Sequence, residues 1–150
     1  METTVIGLSK ARQRIRLSDE PDSPEFVLDL TSTALGKNLT AMVGLARRYV
    51  EISERREAAA EEGNEHAIVA ALRDTAEVYR GIITIMLGKD AWEQVLAYVG
   101  DGEPIELEEA SIAIAPLAGW LLNRFNEILG VTRRKAAAKY LEPTNDPDAI

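Results

Sequence analysis

The spacing of apolar residues changes period once along this chain, at Thr31, and the change dictates an order of strands first and helices after. From Lys10 the residues alternate, with Lys10, Arg12, Arg14 and Arg16 on one parity and Ala11, Gln13, Ile15 and Leu17 on the other. A period of two is the signature of a strand, whose successive side chains point to opposite faces. Ser18-Asp19-Glu20-Pro21-Asp22-Ser23-Pro24 is dense in turn formers. Alternation then resumes, Phe26, Leu28 and Leu30 against Glu25, Val27 and Asp29. Together these segments predict a β-hairpin. Its apolar face holds Ile15, Leu17, Phe26, Leu28 and Leu30, and its other face sets the arginines beside Glu25 and Asp29, where opposite charges pair across strands. A two-stranded ribbon is marginal alone in water, so it must dock on helices or extend another sheet.

Beyond Thr31 the period becomes helical. Thr31, Ser32 and Thr33 offer N-caps for a first helix reaching about Glu62, with Gly63 and Asn64 as its stop. Leu35, Leu39, Met42, Val43, Ala46, Tyr49 and Val50 recur at helical spacing, and Leu45 and Ile52 widen the stripe to roughly half the circumference. The charged, Ala-rich end from Glu54 to Glu62 is expected to project into solvent. A second helix runs from about Glu65 to Leu87, with Ile68, Leu72, Thr75, Tyr79, Ile82, Ile83 and Met86 inward and Gly88 as its stop. Asp90 caps a short third helix whose apolar side is Ala91, Trp92, Val95, Leu96 and Val99, and Gly100-Asp101-Gly102-Glu103-Pro104 is a loop.

The last main helix begins near Ile105, with Glu106, Glu108 and Glu109 complementing its positive end, and is expected to end at Gly130. Leu107, Ile114, Leu117, Leu121, Leu122, Phe125, Ile128 and Leu129 face inward. Pro116 either kinks this helix or separates two shorter ones. Trp120 and Ile112 lie off the stripe. The expected fold is mainly α, an N-terminal β-hairpin followed by a bundle of about four helices. Residues 1–11 are expected to be a flexible N-terminus, 12–130 a single domain, and 131–150 a basic then acidic tail, disordered at its end.

Composition narrows the function classes. The 150-residue chain is 46% hydrophobic but only 5% aromatic, so Leu, Ile, Val and Ala must build its core. A net charge of −8 repels phosphate backbones and anionic headgroups except at a local basic patch. Two basic clusters exist, Lys10 to Arg16 on the hairpin and Arg133, Arg134, Lys135 and Lys139 near the C-terminus. The first has acidic neighbours and no interleaved aromatics, which disfavours nucleic acid. The chain has no cysteine, which removes disulfides, thiolate metal clusters and a Cys nucleophile. Its first sixteen residues set a short apolar patch before the basic cluster, the reverse of the order expected of a secretory signal, and its longest apolar run, Ala110 to Leu122, is well short of the roughly 20 residues that cross a bilayer. A cytoplasmic protein is the expectation.

Chemistry-bearing motifs are missing. His66 is the single histidine, whereas di-metal carboxylate bundles need two Glu-x-x-His pairs and zinc proteases need two histidines on one helix face. No Gly-x-Ser-x-Gly elbow occurs, and Gly100-Asp101-Gly102 lacks the rest of a phosphate loop. Carboxylate neighbours such as Glu61/Glu62 and Glu108/Glu109 diverge by about 100° on a helix and do not converge on one point. No catalytic residue, cofactor or metal site is expected. The anomaly is instead excess apolar surface: wide stripes, the run from Ala110 to Leu122, off-stripe Trp120 and open hairpin edges.

The order of elements resembles a known family. A hairpin ending in Phe26-Val27-Leu28-Asp29-Leu30-Thr31 leads into a long helix. A helix ending in Ile85-Met86-Leu87-Gly88 then precedes the Trp92 helix. In these respects residues 12–130 look like the tail assembly chaperones of long-tailed, siphovirus-type bacteriophages and prophages. The resemblance implies a non-enzymatic protein of the host bacterial cytoplasm that binds and solubilises the tape-measure protein and helps recruit tail-tube subunits. Many such chaperones form homo-oligomers, and many are also made as a longer frameshifted product. Arg14 and Arg16 on the exposed strand, and Ile112, Trp120 and Phe125 on the last helix, are the expected partner contacts. The alternative is a small regulatory or adaptor protein whose basic hairpin meets an acidic partner or DNA.

Overall fold

The computed structural model describes residues 3–4 and 11–141, with side chains described as far as Ile128. Residues 1–2 and 5–10 of the expected flexible start, the acidic end from residue 142 and the side chains of Arg133, Arg134, Lys135 and Lys139 lie outside these residues. The architecture is mainly helical, an N-terminal antiparallel hairpin followed by helices: β1 (Arg12–Arg16), β2 (Glu25–Asp29), α1 (Ser32–Glu62), α2 (Glu65–Leu87), α3 (Ala91–Val99) and α4 (Leu107–Leu141). Among the described residues no helix is long and apolar enough to cross a membrane.

The hairpin pairs in the register the alternation requires, Arg12 opposite Asp29, Arg14 opposite Val27, Ile15 opposite Phe26 and Arg16 opposite Glu25. Ser23 organises the connector, its buried Oγ accepting from the backbone N–H groups of Leu17 and Ser18, each at 3.0 Å. Phe26, Leu28 and Leu30 enter the common core while Glu25, Val27 and Asp29 stay exposed. At the strand exit, Asp29 Oδ1 accepts from the Thr31 N–H at 3.0 Å, and Thr31 Oγ1 then accepts from the Ala34 N–H at 3.3 Å. Leu28-Asp29-Leu30-Thr31 therefore does two jobs: it anchors the strand in the core and caps α1.

Helices α1 and α2 form an antiparallel pair joined at Gly63 and Asn64. Gly63 adopts a left-handed φ of 68°, and the Asn64 N–H donates to the Ala59 carbonyl at 2.9 Å, which closes the helix end. Asn64 Oδ1 in turn accepts from the Ala67 N–H at 3.1 Å and starts α2. The end of α1 does not project freely as its charge suggests. Ala59 is buried, and Arg55 pairs with Asp74 of α2, so the last turns lie along their neighbour.

α2 is the central helix, touching α1, α3, α4 and β2. Ala71, Thr75, Ala76, Val78, Tyr79, Ile82, Ile83 and Met86 are all buried, more than one stripe can supply. By contrast α1 buries a narrow seam. Leu35, Leu39, Met42, Leu45, Tyr49 and Ile52 succeed one another at steps of three and four, the geometry of two helices interlocking side by side. Val43 and Val50, expected inward, are exposed because α4 barely reaches α1.

α3 buries Ala91, Trp92 and Val95. Asp90 precedes it without a side-chain capping bond. α4 buries Ala110, Ser111, Ile114, Ala118, Leu121 and Phe125, and Arg73 of α2 grips Glu108 with Nε to Oε2 at 3.0 Å. Pro116 lies inside this helix, which stays one element rather than two. Gly130 does not end it either: the backbone continues helical to Leu141. One interior glycine costs a helix only about 1 kcal/mol relative to Ala, and the Ala-, Lys- and Arg-rich stretch that follows favours helix.

Candidate partner-binding surface

Ile112, Pro116 and Trp120 occupy successive four-residue steps on α4 and so form one row along the helix. All three face solvent; Ile112 is 66% exposed and Trp120 40%. The row has no use in the core, because Ala110, Ile114, Ala118, Leu121 and Phe125 already fill the face toward α2. Pro116 also lacks an N–H, which leaves the Ile112 carbonyl without its intrahelical donor.

Beside this row runs a groove of about 440 Å³ lined by Ile15, Arg16 and Leu17 of the hairpin and by Pro116, Leu117 and Trp120 of α4. The groove brings together Arg16 and Trp120, two of the expected contacts. Arg124 fixes the hairpin against the helix, donating from Nε to Gln13 Oε1 at 3.3 Å while its Nη1 pairs with Glu127 at 3.3 Å. Ile15, Leu17, Pro116 and Leu117 complete the walls and were not singled out by the sequence as contacts. A four-residue row through Pro116 was the available signal.

Phe125 does not belong to this surface. It is only 2% exposed, closed into the core by the same inward stripe that carries Leu121, and so offers a partner almost no surface. Its outer neighbourhood is a second, smaller cleft of about 300 Å³ between α1 and α4, lined by Val43, Ala46, Val50 and Leu122 among others.

The arginine face is less basic than its sequence suggests. Arg14 lies 3.8 Å from Glu25, Arg12 stands opposite Asp29, and Arg16 donates to the Glu20 carbonyl at 2.6 Å. The Asp29 carboxyl is held below its usual range, chiefly by the Thr31 N–H and also by Arg12. At the hairpin's far end Tyr98 of α3 bonds Ser18 Oγ and donates to Glu20 Oε2 at 3.4 Å, bordering an open acidic cleft that includes Asp22 and Asp101.

His66 is exposed on the first turn of α2. Among the described residues no three His, Asp or Glu side chains are grouped to hold a metal ion. Tyr79 is pushed well above the usual phenol range by burial first and by the adjacent Tyr49 ring second, their centroids 6.0 Å apart. That stacked pair lies in the α1–α2 seam. No family model, curated protein or solved structure matches the chain.

Proposed function

We propose that this chain is a non-enzymatic chaperone that covers apolar helical segments of a longer partner chain and keeps it soluble. The exposed row Ile112–Pro116–Trp120, set beside an apolar groove on an otherwise acidic protein, carries the reading. An amphipathic helix laid along that row would bury its apolar side against α4, while the carboxylates elsewhere on the chain keep the pair in solution. The exposed valines of α1 offer a second strip of the same character.

Tail assembly chaperones of siphovirus-type phages work in this way, and the order of hairpin and helices is the other support for placing the chain with them. Its partner in that case is the tape-measure protein, with tail-tube subunits recruited afterwards, in the bacterial cytoplasm, and the chain acts as a homo-oligomer. Of the motifs behind the resemblance, Phe26-Val27-Leu28-Asp29-Leu30-Thr31, Ile85-Met86-Leu87-Gly88 and Trp92, the first anchors β2 and caps α1, the second ends α2 and Trp92 is buried. The competing DNA-binding reading loses ground because the chain carries a net charge of −8 and no aromatic residue interleaves the arginines.

Co-expression with the long helical reading frame encoded next to it tests the proposal. The soluble fraction of that partner is expected to rise, and the two chains to co-purify. A partner that remains insoluble and unbound refutes it.

A further inference from the structure

Among the described residues the outer edge of β1 pairs with no strand, and its chemistry differs from that of the α4 row. The bond from the Leu30 N–H to the Ala11 carbonyl, 2.7 Å, fixes which β1 residues face β2. Alternation in an antiparallel ladder then turns the backbone groups of Gln13 and Ile15 toward β2, and those of Arg12, Arg14 and Arg16 toward the outer edge. Among the described residues these outward groups make no hydrogen bond. The three arginine side chains are exposed on one face of that edge. On the opposite face Ile15 and Leu17 open into the groove walled by Pro116, Leu117 and Trp120, which no β2 residue lines.

We infer that this edge captures an extended segment of a partner chain, one with carboxylates at every second position and aliphatic side chains between them. The backbone of such a segment completes the ladder as a third strand. Its carboxylates fall on the arginine face, so that Arg12, Arg14 and Arg16 lie between two acidic rows, Glu25 and Asp29 on one side and the incoming residues on the other. Its aliphatic side chains fall on the other face and enter the groove beside Trp120. A second copy of β1 is the wrong occupant, because pairing two such strands sets arginine against arginine.

The inference rests on reading the chain as a protein-binding protein; its ligand differs from that of the helix-covering row, and its groove shares Pro116 and Trp120 with that row but not Ile112. The test uses the full chain and a fluorescein-labelled peptide of alternating Asp and Val, read by fluorescence anisotropy. Saturable binding is expected, about tenfold weaker when the aspartates become lysines or when the edge-facing amides are N-methylated. Arg14→Glu should reverse the preference between the Asp and Lys peptides, and circular dichroism checks that it folds. Arg14→Pro removes an outward donor together with one guanidinium and should weaken the Asp peptide more than N-methylation does. Ile112→Asp should leave the peptide's affinity unchanged while impairing solubilisation of the helical partner.

Equal binding of the Asp and Lys peptides, indifference to N-methylation, or no binding at all would overturn the inference. So would self-association of the chain that the peptide abolishes. If the peptide fails while the helical partner is still solubilised, the edge-capture idea alone falls.

Discussion

Ile112 and Ile114 are two residues apart on α4 and should respond to truncation in opposite ways. Ile112 is 66% exposed and Ile114 1%. Ile114→Ala removes atoms from a packed core, and such changes cost about 2–5 kcal/mol. Ile112→Ala removes only the covered third of the side chain, and Ala is the better helix former by a few tenths of a kcal/mol, so its stability should stay within about 0.5 kcal/mol of the parent. Binding reverses the ranking. Fully burying an isoleucine is worth about 1.5–3 kcal/mol, so the two thirds still exposed leaves roughly 1–2 kcal/mol for a partner to recover, about 5–30-fold in affinity. Urea denaturation gives the first quantity, and titration of a labelled amphipathic Leu-faced helix, about three heptads long, the second. A loss of more than about 1 kcal/mol in the folding of Ile112→Ala, or an unchanged affinity for the helix, would refute the assignment of this row to binding.

Thr31→Ala removes the side-chain cap of α1 and should cost about 0.5–2 kcal/mol in urea denaturation, with no effect on the α4 row. Gly100→Ala would set a methyl inside van der Waals contact of the Glu103 carbonyl oxygen. Because that oxygen belongs to the backbone the loop must shift, and a destabilisation of about 1–3 kcal/mol is expected in thermal melts. Asp29 and Glu108 are both held below the ordinary carboxylate range, the first chiefly by the Thr31 N–H and the second chiefly by Arg73. The unfolded chain therefore takes up protons at a higher pH than the folded one. Their contribution is complete at neutral pH and is lost as pH falls below about 4, so urea midpoints should drop there, and less steeply in Asp29→Asn.

Much of the fold could be read from local pattern. The parity of Arg12, Arg14 and Arg16 against Ile15 and Leu17 matches the observed register, and Gly63, Asn64 and Gly88 stand at the helix ends. Local pattern is silent where packing decides. Leu45 and Val43 look equivalent on an apolar stripe, but only the residues in the seam with α2 are covered, and which helix lies in the centre is not written in any one helix's period. The same holds for the surface. Phe125 and Trp120 are both large aromatics on α4, and the core takes one and leaves the other. The groove itself depends on a hairpin meeting a helix far along the chain, with Gln13 and Arg124 separated by 111 positions. The passage of α4 through Gly130 shows the converse limit, a local stop signal overridden by the helix-forming residues after it.

The most direct test is the soluble fraction of the long helical partner when co-expressed with the parent chain and with a chain carrying both Ile112→Asp and Trp120→Asp. Neither substituted position belongs to the buried core, and circular dichroism checks that the double variant folds as the parent does. The account predicts a soluble, co-purifying partner with the parent chain and an insoluble one with the folded double variant. A partner that is equally soluble with both, or insoluble with both, would contradict it.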